Sequence, residues 1–180
     1  MTIRIFHGQT CSGFNHYVHV AKILSQESGL DIQHHHIKRE YGKKPTCHAP
    51  IHFNLSHTHG QLFIATAPYE LGIDVESCQR IIDPNVRARI RPTNEPNLAV
   101  SDLEYWVLKE AAIKYTGNGF AHIRQTVCFA PEESMLWYPF TDQISGMSGY
   151  ALLGQHGSVI WAVACTQPQP IELVACHFNL

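Results

Sequence analysis

LGIDVE, residues 71–76, alternates small or apolar side chains with acids. The two-residue period of a β-strand puts Ile73 and Val75 on one face and Asp74 and Glu76 on the other. At ~3.3 Å per residue the two acidic Cα atoms stand about 6.6 Å apart. Carboxylates aimed the same way repel unless water or a cation separates them. A hard divalent ion such as Mg²⁺ takes one or two carboxylates together with substrate phosphates. The plain alternative is an exposed edge strand carrying two ordinary acids.

Outward from this strand, residues 61–66 form a second short apolar run, separated from the first by Pro68 and Tyr69. Upstream, Ile51, Phe53 and Leu55 alternate with His52 and Asn54, again a strand pattern. Residues 14–28 place Val18, Ala21, Leu24 and Ser28 at helical spacing and close at Gly29, which predicts an amphipathic helix. Downstream, residues 82–97 hold Pro84, Pro92 and Pro96 and read as a seam between two lobes. A helix is expected from Asp102 to Tyr115, opened by a Ser101/Glu104 capping box and closed by Gly117-Asn118-Gly119. From Thr126 onward the runs TVCFA, GYALLG, VIWAVAC and ELVACHF are strand-like, divided by Gly and Pro. The expected class is α+β with mostly antiparallel sheets.

The helix carries the second chemical signal. At roughly 100° per residue, Leu103, Trp106, Val107, Glu110 and Lys114 share one face. Leu108, Ala111, Ala112 and Ile113 cover much of the rest, so the helix should be buried. Glu110 and Lys114 are then charges inside an apolar stripe, and such residues are rarely buried unpaired. Pairing with each other is one solution, but a buried pair is a poor source of stability. A site that needs a third carboxylate and an ammonium accounts for both.

In FNLSHTHG (53–60), Ser56 and His57 are adjacent in a strand and point to opposite faces. They cannot readily form a nucleophile–base pair, and no G-x-S-x-G elbow occurs, which disfavours a serine hydrolase. At a strand end they suit phosphate recognition instead. Lys38, Arg39, Lys43 and Lys44 form a basic loop broken by Gly42 and Pro45, able to grip a further phosphate or simply to remain solvated.

Composition excludes several classes. The 180 residues carry 13 basic and 15 acidic side chains, a formal charge of −2, so no global basicity points to nucleic acid or an anionic membrane. The six cysteines, Cys11, Cys47, Cys78, Cys128, Cys165 and Cys176, are scattered, without a C-x-x-C pair. Residues 1–10 hold no signal-peptide apolar run. No segment approaches the ~18 apolar residues of a membrane span. A reduced, cytoplasmic protein is expected. Thirteen histidines, among them His34-His35-His36 and His57/His59, show no four-ligand zinc spacing and read as surface residues.

Four blocks in order, YGKKP (41–45), FNLSH (53–57), GIDVE (72–76) and WVLKEAAIKYTGNG (106–119), resemble the 4′-phosphopantetheinyl transferases. Among them, the chain is most similar to the larger monomeric subclass. The resemblance implies two similar α+β lobes about a pseudo-twofold, here 1–70 and 71–180, with a Pro/Arg-rich stretch at 80–97 and a cofactor cleft between the lobes. It implies transfer of 4′-phosphopantetheine from coenzyme A to a serine hydroxyl of an acyl or peptidyl carrier protein, releasing 3′,5′-ADP. Asp74, Glu76 and Glu110 would hold Mg²⁺, and Lys109 and Lys114 would meet the pyrophosphate. Ser56 and His57 would bind coenzyme A phosphates, and Lys43, Lys44 and Lys22 would line the adenine and 3′-phosphate pocket. Glu110 would be the base, Lys114 would stabilise the departing oxygens, and Asp74 would complete the catalytic set. The loop reads Gly-Lys-Lys-Pro where one lysine is usual, leaving open which lysine faces the cofactor.

Arg80, Arg87, Arg89 and Arg91 gather four of the chain's seven arginines within 12 residues, with Asp83 as the only acid. They form a candidate docking surface for an acidic carrier protein; a solvated basic loop is the alternative. No aromatics interleave with them, which disfavours nucleic acid. Two further readings are a catalytically silent coenzyme A- or carrier-binding homologue and a Mg²⁺-dependent nucleotide diphosphate hydrolase. Intact buried charges argue against the first, and the second leaves the arginines unexplained.

Overall fold

The computed structural model describes residues 1–10, 15–92 and 95–178. Cys11 and Phe14 lie outside the described residues. Within them the protein is α+β, with nine strands and three α-helices. They are β1 (Ile3–Gln9), α1 (His16–Ser28), β2 (His52–Thr58), β3 (Gln61–Ala67), β4 (Leu71–Ser77), α2 (Pro84–Ile90), α3 (Asp102–Thr116), β5 (Thr126–Cys128), β6 (Trp137–Asp142), β7 (Ser148–His156), β8 (Val159–Cys165) and β9 (Ile171–Ala175). One sheet has the order β2-β3-β1-β9 and the other β4-β8-β7-β6-β5. Every pairing is antiparallel except β1 with β9, so the last strand joins the first sheet.

Strand alternation sorts the core into layers. Ile3, Ile5, Phe63 and Ala65 of the first sheet face Leu71, Ile73, Val75, Trp161 and Val163 of the second. The opposite face of the first sheet, through Phe6, Leu62 and Ile64, packs on Val20, Ile23 and Leu24 of α1. The opposite face of the second, through Phe140, Ala151, Ala162 and Ala164, packs on α3. Small residues on that face let α3 approach closely. At Gly72 the fit is closest: a Cβ there would stand 2.2 Å from the Ala111 carbonyl oxygen and 2.3 Å from the Tyr115 nitrogen. Glycine in LGIDVE is therefore what seats α3 against β4.

Local signals place the helices. Asn15 caps α1 by accepting from the Tyr17 N–H, and Gly29 closes it at φ 72°. Ser101 accepts from the Glu104 N–H at 3.2 Å while the Glu104 carboxylate accepts from the Ser101 N–H at 2.7 Å, the expected capping box. Gly117, at φ 74°, ends α3. Residues 84–90, within the Pro/Arg-rich stretch, are helical. Asp83 caps a short helix whose first residue is Pro84, where a missing N–H costs nothing, and Ile90 is buried in the α3 cluster. Two strands escaped the sequence reading. β1 lies in a stretch where no strand is expected, and β6 contains Pro139, which removes a ladder donor.

Candidate active-site cleft

β2 and β4 belong to different sheets yet run side by side. The row Asn54, Ser56 and Thr58 on β2 meets the edge of β4 residue by residue. Asn54 Oδ1 accepts the Ile73 N–H at 3.1 Å, Ser56 donates to Asp74 Oδ1 at 2.9 Å, and Thr58 donates to Glu76 Oε2 at 3.4 Å. Asn54, Ser56 and Asp74 are all buried. These side chains cover the otherwise open edge of β4. His59 and Gly60, both at positive φ, form the two-residue turn that ends β2 just beyond Thr58.

α3 completes the site. Lys114 Nζ donates to Asp74 Oδ1 at 2.7 Å and to Ser56 Oγ at 3.0 Å, closing a triangle of three side chains from three elements. Lys114 thus pairs across the seam with Asp74 and not with Glu110 on its own helix. One turn earlier Glu110 makes no hydrogen bond or ion pair within the described residues. Burial, and next the charge of Asp74, push its carboxyl up to about 7 against the opposing pull of Lys114 and Arg80. Glu76 is ion-paired with Arg80, whose guanidinium lies 4.5 Å from the centroid of the Trp106 ring.

Ser56, Glu110 and Lys114 line one cleft of about 370 Å³, to which Asp74 is tied through Ser56 and Lys114. Ser56, His57 and Asn54 form one wall, Glu110, Ile113 and Lys114 the other, and Gly42–Pro45 and Gly117–Phe120 the rim. His57 is exposed, on the face of β2 opposite Ser56, with its ring 4.6 Å from that of His16. Lys43 is exposed and pairs with Glu40, whereas Lys44 is tied to Glu70 at 2.6 Å.

Two expected phosphate-binding lysines lie elsewhere. Lys109 is fully buried, donating to Glu95 Oε1 at 2.6 Å and to the Ile123 carbonyl at 3.1 Å. Neighbouring positions on a helix point about 100° apart, so Glu110 faces the cleft while Lys109 enters the core behind it. Lys22 is exposed on α1 and borders a separate hollow with Val18, Ser25 and His34. The arginines also divide. Arg91 is drawn inward, donating to the Val100 carbonyl at 2.5 Å and pairing with Asp102 at 2.9 Å. Arg80 is engaged with Glu76. Arg87 pairs with Asp102 at 3.0 Å from an exposed position, and Arg89 is exposed with no ion pair among the described residues.

Among the described residues no three His, Cys, Asp or Glu side chains stand together in a ready metal-binding arrangement. Lys114 occupies Asp74 and Arg80 occupies Glu76. The donor chemistry nonetheless fits a hard divalent cation. All three groups offer oxygen, and the charge of Asp74 disfavours ionisation of Glu110, which a shared cation relieves. The five described cysteines are free thiols, and no described helix is long and apolar enough to cross a membrane.

A protein with two β-sheets, an acidic strand on the seam and a buried helix delivering Glu110 and Lys114 matches a known family over its centre. Residues 70–139 match the family model of the 4′-phosphopantetheinyl transferase superfamily. The match spans β4, α2 and α3, so it carries Asp74, Glu76, Glu110 and Lys114; Ser56, His57 and the 41–45 loop lie before it. The chain is also 35% identical over 91 residues to the "4′-phosphopantetheinyl transferase gsp" of Aneurinibacillus migulanus, covering 46% of this chain. It spans 38% of that relative's length.

Proposed function

We propose that the protein transfers 4′-phosphopantetheine from coenzyme A to a serine hydroxyl of an acyl or peptidyl carrier protein, releasing 3′,5′-ADP. The observation that carries this reading is the Ser56–Asp74–Lys114 triangle at the seam of two sheets, whose Ser56 and Lys114 line one cleft together with Glu110. Asp74, Glu76 and Glu110 would hold Mg²⁺, which when bound supplies charge neutralisation of a diphosphate. Lys114 sits where a departing phosphate oxygen can take over its bond to Ser56. His57 offers a ring nitrogen from the face of the strand opposite Ser56, and the Gly42–Pro45 loop brings Lys43 to the cleft rim.

Glu110, half-buried and raised to about 7, is suited to accept the proton of the attacking hydroxyl, because a base works best with a pKa near the working pH. The exposed Arg87 and Arg89 on α2 offer an acidic carrier a steering surface, and Arg91 no longer belongs to it. Mass spectrometry of an apo carrier protein incubated with coenzyme A, Mg²⁺ and this protein should show one added phosphopantetheine. Asp74→Ala should nearly abolish that gain while the protein stays folded. Unmodified carrier with hydrolysed coenzyme A would replace the reading by a hydrolase, and tight coenzyme A binding without turnover by a silent binding protein.

A further inference from the structure

The Gly-Lys-Lys-Pro loop holds two lysines in unlike settings. Lys44 has a side chain only 18% exposed, and its ammonium meets three acceptors. These are Glu70 Oε2 at 2.6 Å, the Leu71 carbonyl at 3.0 Å and the Tyr115 carbonyl at 3.4 Å. An ammonium has three N–H donors, so none remains for a ligand. The second oxygen of Glu70 accepts from His52 Nδ1 at 2.9 Å. Burial alone would raise the Glu70 carboxyl, but the Lys44 hydrogen bond and the charges of Lys44 and His52 hold it below its ordinary value. Lys43, one residue earlier, is 70% exposed and among the described residues pairs with Glu40 three residues away.

The three acceptors and His52 come from different parts of the seam. Glu70 and Leu71 stand at the start of β4, Tyr115 lies in the last turn of α3 and His52 opens β2. Gly117 lies against the Lys44 stem, its absent Cβ falling 3.6 Å from Cδ. The loop is also a partition. Lys43, Lys44 and Pro45 line the cleft on one side and, on the other, a second hollow of about 380 Å³ with Cys47, Phe53 and Glu70.

We infer that Lys44 is a positioning residue, a latch that with Glu70 and His52 pins the loop across the seam of the two sheets and sets the width of the cleft. Lys43, outside that latch and exposed beside Glu40, is the lysine that meets the phosphorylated ligand. The division of labour over ligand rests on the proposed transferase reading; the latch rests on geometry alone. A flexible basic loop would lose its ordering entropy at every binding event, whereas a pinned one presents Lys43 already in place.

Hydrogen exchange of the unliganded protein and calorimetric binding of 3′,5′-ADP test the two halves separately. Lys44→Met should speed exchange of the 42–46 amides roughly tenfold or more, as local opening becomes easier, while Lys43→Met leaves them unchanged. The swap Lys44→Glu with Glu70→Lys should restore protection and the KM for coenzyme A, which a cavity or misfolding would not do. Lys43→Met should weaken 3′,5′-ADP binding by roughly tenfold, the loss of one charge-assisted contact. Unchanged exchange in Lys44→Met overturns the latch. Full nucleotide affinity in Lys43→Met, with affinity lost in Lys44→Met and not restored by the swap, reverses the assignment. Absence of 3′,5′-ADP binding by the wild type removes the transferase reading and Lys43's role, and leaves the exchange comparison to decide the latch.

Discussion

Replacing Lys109 by Met separates a buried structural ion pair from a ligand contact. Lys109 is 0% exposed and Glu95 4% exposed at their side chains, so neither charge has water to fall back on. Burial pulls the Lys109 ammonium's pKa down, against the Glu95 hydrogen bond and charge that favour its protonated form. Removing one partner strands the other, which costs about 3–5 kcal/mol. For a chain of 180 residues each kcal/mol shifts Tm by roughly 2–4 °C, so the fall should be roughly 6–20 °C. A domain of ordinary stability, about 5–15 kcal/mol, remains folded at 20 °C after such a loss unless it starts at the bottom of that range. Thermal and urea unfolding measure the cost, and the KM for coenzyme A in the folded variant measures any ligand role. The double variant Lys109→Met with Glu95→Gln should recover part of the loss, with a coupling of about 0.5–3 kcal/mol. Gln keeps an oxygen for the Tyr105 hydroxyl, which also donates to Glu95. An unchanged Tm together with a raised KM would refute the buried-pair reasoning and return Lys109 to the diphosphate.

Three other outcomes are expected. The raised carboxyl of Glu110 favours its protonated form in the folded state, so in chelator the stability present below pH 4.5 is lost as pH rises through about 7. That loss, on the order of 3 kcal/mol by pH 8, should appear as a falling urea midpoint that Glu110→Gln flattens; equal slopes for both proteins would remove the raised carboxyl. Gly72→Ala drives a Cβ into the backbone of α3 and should cost about 1–3 kcal/mol and reduce turnover more than a surface change does, read by urea unfolding and carrier modification. Reversing Arg87 and Arg89 to Glu should raise the carrier's KM most at low ionic strength, and a KM insensitive to salt in both proteins would exclude steering by α2.

Much of the site could be read from spacing alone. Period two in LGIDVE separated Asp74 and Glu76 from Ile73 and Val75, and period 3.6 in α3 put Glu110 and Lys114 on one face. The same wheel could not tell that Lys109 turns into the core, because its partner Glu95 lies in a stretch without pattern. Nor could it find Glu70 and His52, which become neighbours of Lys44 only when β2, β4 and the loop meet. Arg91 looked like its neighbours in sequence, and only the packing of α2 on α3 takes it from the surface.

What the amino-acid order settled by itself is local: the strands with alternating faces, the capped helix, the glycine that admits close approach, and which acids share a side. Those follow from backbone geometry and from contacts among residues a few positions apart. What tertiary structure alone decided is partnership. Lys114 chooses Asp74 over Glu110, Lys44 closes the seam while Lys43 stays exposed beside Glu40, and Ser56 meets a strand of the other sheet. Electrostatic and hydrogen-bond energies depend on separations of a few ångströms between residues 18 to 71 positions apart, and only the packed chain sets those distances.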